Sequence, residues 1–356
     1  MNTNGFNPQK AEAFAEKMVG VLNQGALALM TSIGHRTRLF DTMAELPPAT
    51  SHQIAEATGL DERYVREWLH ALVVDQVIDY DPASNHYHLP PEHAATLTRQ
   101  AGADNLALYT QYIGVMGSVE DKIVNCFVEG GGVPYADFHR FHEVMAEDSN
   151  VNIVEPLIEQ LLPLVPGLGE KLQQGIAVLD VGCGRGRAIT RLAQSFPNSR
   201  FIGIDFSQEA IAVAKANVNN LGLTNIQFEV QDAATLNASD RYDLIFTFDA
   251  IHDQAQPGRV LANIARALKP DGVYFMQDIA GSSHVHHNVE HPLAPFLYSI
   301  STMHCMTVSL AAGGEGLGTM WGKEKALELL AEAGFPTVQV EEPEHDPMNY
   351  YYICRL

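Results

Sequence analysis

The chain of 356 residues is poor in cysteine, in basic residues and in long apolar runs. Its four cysteines, Cys126, Cys183, Cys305 and Cys354, lie far apart and form no CxxC pair, which argues against a zinc knuckle or a disulfide framework. No apolar stretch reaches the roughly 18 residues of a membrane span. The N-terminus shows no basic segment followed by an apolar one, as a secretory signal would. We therefore expect a cytoplasmic protein with no membrane partner.

Acidic residues dominate the charge. The sequence has 22 lysines and arginines against 43 aspartates and glutamates, a formal net charge of −21 at pH 7. This balance repels polyanions, so a nucleic-acid partner would need a concentrated basic face. With 46% hydrophobic residues, the chain can nevertheless bury one large or two smaller cores.

Residues 1–165 are predicted to form a mainly helical domain. Residues 8–33 form an apolar helix, and three short helices and a β-hairpin follow at 39–46, 52–58, 62–74 and 77–89. This order is that of a winged helix over about residues 35–98. A DNA-reading winged helix needs a basic recognition helix. Residues 35–98 carry four arginines, no lysine and ten acidic residues, so we expect no nucleic-acid partner and assign Trp68 and Leu69 to the core.

Residues 166–356 alternate strand and helix after a segment at 161–169 that reads as a linker. This alternation predicts an α/β domain with a parallel sheet covered on both faces. The strands are predicted at 177–181, 200–204, 226–230, 242–248, 273–278, 337–341 and 349–354. The last two are separated by a short turn and should pair antiparallel at an edge.

A glycine-rich turn follows the first of these strands. Gly182, Gly184 and Gly186 form a G-x-G-x-G sequence, in which the backbone can bend sharply and lie against a ligand. The next two strands end near Asp205 and Asp232, which suit a ribose and an adenine amine. The alternative interpretation is that each aspartate caps a following helix.

These residues resemble those of the class I S-adenosylmethionine-dependent methyltransferases, whose turn reads D-x-G-x-G-x-G. The resemblance implies a Rossmann-like sheet with an antiparallel last strand and S-adenosylmethionine as the cofactor; a generic nucleotide-binding Rossmann fold is the alternative. It assigns cofactor binding to Asp180, Gly182, Gly184, Gly186, Asp205, Phe206, Asp232, Ala233 and Asp249.

The fourth strand leads into His252 and Asp253. Ligands of open α/β sheets bind at the carboxyl ends of the strands, and a histidine suits removal of a hydroxyl proton near neutral pH. The I-x-H-D sequence resembles that of plant-type small-molecule O-methyltransferases, which implies His252 as the general base with Asp253 and Asp278 beside it. Two alternatives stay open: His252 is a loop or capping residue, or the enzyme methylates nitrogen or sulfur by orientation alone.

The same resemblance covers the segment 141–149, where His142 replaces an asparagine and Met145 is retained, and it implies contact with the acceptor. The insertion at 281–321 contains Met303, Met306 and Trp321 with a glycine-rich stretch, which favours a lid over an apolar acceptor pocket. A helix pair packed on the sheet edge is the alternative.

A dense histidine tract comprises His284, His286, His287 and His291. It has no helical spacing that fixes ligand geometry, so we assign no metal site to it. Most of the chain also resembles bacterial methyltransferases with a degenerate winged helix, including a mycobacterial one. The resemblance implies a homodimer joined through the N-terminal helices, and a donor-sensing transcriptional regulator is the alternative.

Overall fold

The computed structural model describes residues 5–344 and 346–356. Internal contacts divide the chain into two compact units, Met1–Val115 and Met116–Leu356. The sequence places the domain boundary at residue 165, whereas residues 116–165 belong by their contacts to the second unit. The predicted linker at 161–169 is wrong, because Leu161 and Leu162 are buried in the core beneath the sheet.

The first unit consists of helices and one hairpin. Its elements are α1 (Pro8–Arg36), α2 (Leu39–Glu45), α3 (Ser51–Thr58), α4 (Glu62–Val74), β1 (Asp79–Asp81), β2 (His86–His88), α5 (Pro91–Leu97) and α6 (Leu106–Tyr109). Asp61 caps α4 by accepting from the backbone N–H groups of Arg63 and Tyr64. Thr50 caps α3, in a capping box with Gln53.

The winged-helix order is confirmed, since α2, α3 and α4 precede an antiparallel hairpin in which Asp79 pairs with His88. Its core contains Phe40, Trp68 and Leu69, and the indole N–H of Trp68 donates to the Met30 carbonyl at 2.8 Å. Trp68 and Leu69 therefore face the core as predicted.

The second unit is built on a seven-stranded sheet of order β5-β4-β3-β6-β7-β9-β8. Its strands are β3 (Ala177–Val181), β4 (Arg200–Asp205), β5 (Ile226–Val230), β6 (Tyr242–Phe248), β7 (Leu268–Ile279), β8 (Thr337–Glu341) and β9 (Asn349–Arg355). The first five are parallel, and β9 pairs antiparallel with both β7 and β8. The predicted α/β class and the antiparallel last strand are confirmed.

Helices surround this sheet and precede it. They are α8 (Glu120–Glu129), α9 (Phe141–Ser149), α10 (Leu168–Gln174), α11 (Arg187–Ser195), α12 (Gln208–Asn220), α13 (Pro257–Ala267), α14 (Ala294–Ile300), α15 (Met306–Ala311) and α16 (Gly322–Glu332), while α7 (Gln111–Gly117) spans the boundary between the two units. Two apolar clusters fill the two faces of the sheet, as expected for parallel strands buried on both sides. No helix in the described part of the chain has the length and apolarity needed to cross a bilayer.

Candidate active site

The glycine turn joins β3 to α11, and all three of its glycines have positive φ angles: 76° at Gly182, 52° at Gly184 and 67° at Gly186. A Cβ on Gly182 would lie 2.7 Å from that of Ala250, and one on Gly186 would lie 2.3 Å from the ring of Phe228. A Cβ on Gly184 would meet no atom within 4 Å. Two glycines therefore allow close packing, while Gly184 leaves open space beside its backbone.

Two carboxyl groups lie at this turn. Asp205, at the end of β4, accepts from the backbone N–H groups of Gly184 and Ser207, each at 2.8 Å. Burial raises the pKa of Asp205, and these two hydrogen bonds oppose the increase. Burial also raises the pKa of Asp180 to about 7, with a further contribution from Asp205. Asp205 thus tightens the turn and retains oxygen lone pairs for a ligand.

The turn after β5 contains Asp232 and Ala233. Asp232 accepts from the N–H of Ala234 at 2.8 Å and caps the short turn Ala233–Thr235. The side-chain amide of Asn263, on α13, donates to the carbonyls of Ala233 and Ala234. The capping interpretation of Asp232 is therefore correct, and one of its oxygens remains for another donor.

His252 lies beyond β6 with its side chain between two carboxylates. Its Nδ1 lies 2.7 Å from Oδ1 of Asp278, and its Nε2 lies 3.3 Å from Oδ1 of Asp253. Burial alone would lower the pKa of His252, but the charges of Asp278 and Asp253 outweigh it and raise that pKa well above its ordinary value. The predicted trio is brought together, and Asp278 fixes a proton on Nδ1.

Asp278 lies at the end of β7 and is fully buried. Its Oδ1 accepts from His252 and from the backbone N–H of Ile279. It also accepts from the indole N–H of Trp321 at 3.0 Å. Trp321, assigned from sequence to the acceptor, therefore holds the carboxylate that orients His252.

Asp249 follows β6 with φ of 47°, which is unusual for a residue other than glycine. Burial and the nearby Asp278 raise the pKa of its carboxyl to about 8. This residue begins the sharp turn that carries Ala250 against Gly182 and His252 toward Asp278. Phe206, also assigned to the cofactor, is largely exposed after β4.

A cluster of rings adjoins these residues, and sequence reasoning predicted its members His142 and Phe206 but missed Tyr135. Tyr135 stacks on His142 with centroids 4.8 Å apart and contacts Phe206 edge-on at 5.8 Å. His304 stacks on Phe141 at 3.5 Å and meets Tyr135 at 4.9 Å. Burial raises the pKa of Tyr135 well above its ordinary value, with contributions from Asp253 and Asp205, so its hydroxyl lies near both halves of the site.

The insertion supplies His304 and Cys305 to this region. Both are buried, and the Cys305 Sγ lies 3.6 Å from Nδ1 of His304. Met145 and Met303 are half-buried on α9 and on the turn Ser301–Cys305. The sequence Met303-His304-Cys305-Met306 marks both residues as unusual beside the histidine tract, but their spacing assigns them no role.

Within the glycine-rich stretch Gly313–Gly318, the residues Gly314, Gly316 and Gly318 are closely packed. A Cβ on Gly318 would lie 2.2 Å from Oγ of Ser301, and one on Gly316 would lie 3.4 Å from Cγ of Met306. Met306 therefore contacts this stretch. The N–H of Glu315 donates to the Ala255 carbonyl at 3.1 Å, which ties the stretch to the loop that carries His252.

The histidine tract is largely exposed. His284, His286 and His287 are exposed, and the closest ring centroids are 4.1 Å apart. Among the described residues, the clusters with metal-ligand spacing surround His252 and do not include the tract.

Comparison with known families matches two separate segments of the chain. The model of the Rv2258c-like winged HTH domain matches residues 25–99. A methyltransferase domain model matches residues 172–334, which contain the glycine turn, Asp205, Asp232 and His252.

Among curated proteins, trans-aconitate 2-methyltransferase of Deinococcus radiodurans is 35% identical over 112 residues, covering 32% of this chain and 41% of that protein. Matches to the first four curated relatives span 33% to 45% of their own lengths. The sequence likeness is thus confined to part of each relative.

Solved structures match over nearly the whole chain. Mitomycin 7-O-methyltransferase MmcR is 19% identical with a TM-score of 0.68, covering 98% of this chain and 100% of that one. Human N-acetylserotonin methyltransferase, solved with S-adenosylmethionine, is 16% identical with a TM-score of 0.65, covering 96% and 97%. At these identities the likeness establishes the fold. Residues 25–99 of the chain therefore match an Rv2258c-like winged helix-turn-helix domain, and residues 172–334 match a methyltransferase domain.

Proposed function

We propose that the protein transfers a methyl group from S-adenosylmethionine to a hydroxyl group of a small, partly aromatic or apolar acceptor. The observation that carries this proposal is the buried His252–Asp278 pair, 2.7 Å apart, at the carboxyl edge of the sheet. The glycine turn, Asp205 and Asp232 also lie at strand ends on this edge of the sheet. Open α/β sheets bind their ligands at this edge.

The residues at the glycine turn fit the donor. Gly184 leaves open space against its backbone, and Asp205 has lone pairs suited to ribose hydroxyls. When bound, S-adenosylmethionine supplies an activated methyl group on a positive sulfur, so the protein's tasks are orientation and proton removal. Asp180, Asp249, Phe206 and Ala233 complete the proposed donor site.

His252 is suited to proton removal once it is neutral. Asp278 keeps the proton on Nδ1, which leaves the lone pair on Nε2 for the proton of the acceptor hydroxyl. Because the pKa of His252 is raised, the neutral form is populated only at higher pH. His142, Met145, Met303 and Met306 are proposed acceptor contacts, joined by Tyr135 and His304 from the ring cluster.

Calorimetric titration with S-adenosylmethionine tests the donor site. We expect wild type and His252→Ala to bind it, Asp205→Ala to bind at least tenfold more weakly, and the exposed-site control Asp271→Asn to match wild type. Heat absent from wild type, or unchanged in Asp205→Ala, would refute the donor site. Release of S-adenosylhomocysteine in the presence of hydroxylated small aromatics should vanish in His252→Ala. Full turnover in that variant would favour nitrogen or sulfur methylation instead.

The winged helix is proposed to serve assembly rather than DNA binding. Residues 35–98 keep a net charge of −6, from four arginines and ten acidic residues. On α1, Phe14, Met18 and Leu22 repeat at helical spacing and are exposed. We propose that they join two copies of the chain.

The double variant Phe14→Glu, Leu22→Glu should then halve the mass measured by light scattering. A wild-type monomer would contradict the proposal, and a gel shift of duplex DNA at low salt would favour a regulator.

A cytoplasmic location is also part of the proposal. All four cysteines are free thiols, as expected in a reducing compartment.

A further inference from the structure

Three potential metal ligands converge beside His252. A ring nitrogen of His252, a carboxylate oxygen of Asp253 and the Sγ of Cys305 all lie within 4.8 Å of one another. His252 and Cys305 are buried, and Asp253 is half-buried. The proposed methyl transfer uses His252 with Asp278 behind it, and it assigns no step to the Cys305 thiol or to the Asp253 carboxylate.

Cys305 interacts with both His252 and the Asp253 carboxylate, but these contacts leave one oxygen of that carboxylate without a donor. Oδ1 of Asp253 is buried and has no hydrogen-bond partner. Nε2 of His252 lies 3.3 Å from it, but the contact lacks the geometry of a hydrogen bond. An unpaired buried carboxylate oxygen is costly, and such an oxygen is expected to meet a ligand.

The chemistry and spacing of the trio suit Zn²⁺. This ion binds Cys, His and Asp, and in open sites three protein ligands leave a fourth position free. In a tetrahedron with Zn–N and Zn–O bonds of ~2.0–2.2 Å, the nitrogen and oxygen lie about 3.4 Å apart. The observed separation of 3.3 Å between Nε2 and Oδ1 agrees with this edge length.

The Nδ1 atom of His252 bonds to a carboxylate, as the second nitrogen of metal-binding histidines commonly does. Nδ1 bonds to Oδ1 of Asp278, whose position is fixed by the indole N–H of Trp321. A carboxylate behind a ligating histidine sets the tautomer that presents Nε2 to the metal. The ring is therefore already oriented for a ligand at Nε2.

We propose that His252, Asp253 and Cys305 bind one Zn²⁺ ion, and that the ion inhibits methyl transfer by occupying Nε2. On binding, the Cys305 thiol releases its proton to solvent and its sulfur forms a bond to zinc, while Nε2 donates the lone pair that an acceptor proton would otherwise take. The binding site stands on geometry alone. The inhibition rests on the proposed function, because only a base at His252 needs that lone pair.

Titration of metal-free protein with Co²⁺ tests the site without any activity measurement. One equivalent should produce tetrahedral cobalt absorption with a thiolate-to-cobalt charge-transfer band, and one equivalent of Zn²⁺ should abolish it. Wild type showing no such band would overturn the site. Cys305→Ser and Cys305→Ala should both lose the band and bind Zn²⁺ at least tenfold more weakly. Mutation of a residue that only supports a metal ligand already lowers metal affinity about 10- to 100-fold, and Cys305 is proposed as a ligand itself. Cys126→Ser, a half-buried thiol on α8, should retain it.

Turnover then tests the inhibition separately. Equimolar Zn²⁺ should abolish S-adenosylhomocysteine release by wild type, and a chelator should restore it. Turnover that persists with the site filled would overturn the inhibitory role. The proposed function fails on a different result, which is full turnover of the metal-free His252→Ala variant. The cobalt band is measured on the wild-type protein and does not depend on that result.

Discussion

Asp278 offers the sharpest test of how His252 works. The replacement Asp278→Asn keeps the shape of a fully buried side chain and removes its charge. A unit charge about 4 Å from the imidazolium contributes roughly 4 kcal/mol of attraction at an effective dielectric constant of ~20. Loss of that attraction lowers the pKa of His252. An amide N–H facing Nδ1 would in addition favour the tautomer with its proton on Nε2, where the base needs its lone pair.

Two consequences follow for the rate. At high pH, kcat should fall by about 10²- to 10⁴-fold, or ~3–5 kcal/mol of activation free energy, the usual contribution of a positioned base. The pH at which activity is lost should also move down. In wild type the base is protonated, and activity declines, as pH falls through a raised pKa. In the variant the Asp278 charge is absent while Asp253 and Cys305 still face the ring, so the decline begins at lower pH.

The assay is the rate of S-adenosylhomocysteine release from below the ordinary histidine pKa of ~6.5 to well above it. Donor affinity, measured by calorimetry, should not change, because Asp278 lies behind His252 rather than at the glycine turn. Asp271→Asn, an exposed carboxyl on the same strand, should give the wild-type profile. An unshifted profile with undiminished kcat would show that Asp278 is structural and that His252 moves no proton.

Three further predictions concern the surrounding residues. Alanine at Gly182 or Gly184 costs about 1–2 kcal/mol for its positive φ. In Gly182→Ala the new Cβ would also lie 2.7 Å from the Cβ of Ala250, which should lower the melting temperature further. In Gly184→Ala the new Cβ would enter the open space beside the backbone and should weaken donor binding at least tenfold. Unchanged donor affinity of Gly184→Ala would contradict the proposed donor site. Asp180→Asn should raise the melting temperature at pH 8, since a carboxyl whose pKa is about 7 in the fold and ~3.9 unfolded destabilises progressively as pH rises between these values; a lower melting temperature would reveal a stabilising partner of the charge. Trp321→Phe removes one donor from Asp278 and should reduce kcat about tenfold with donor affinity unchanged, whereas an effect on acceptor KM alone would return Trp321 to the acceptor.

The sheet was largely predictable from sequence. Strands β3 and β6 begin and end at the predicted residues, because a strand buried on both faces is a continuous apolar run between turns. The His252–Asp278 contact was predictable for a related reason. His252 follows β6 and Asp278 lies at the end of the adjacent parallel strand β7, and the carboxyl ends of such strands meet at one edge.

Two segments rich in glycine or proline, whose composition is typical of a linker or a lid, are packed against neighbouring residues in the structure. The leucines at 161–169 were read as linker because proline and glycine surround them, yet they fill the core beneath the sheet. The glycine-rich stretch favours a lid in the sequence, yet Gly316 and Gly318 each lie where a Cβ would meet a neighbouring side chain. Glycine marks both mobile backbone and close approach, and only the tertiary neighbour distinguishes the two.

This contrast separates the two halves of the proposed reaction. Donor-side residues follow successive strands, so a local pattern predicts both their identity and their meeting point. Tyr135, His304 and Cys305 reach His252 from two segments more than 150 residues apart in sequence, and no periodicity connects them. Because His304 and Cys305 lie beside the base and outside the glycine turn, substitutions of these two residues should alter acceptor preference and metal binding while donor affinity stays constant. The part of the site that sequence patterns leave open is therefore the part that we propose to contact the acceptor.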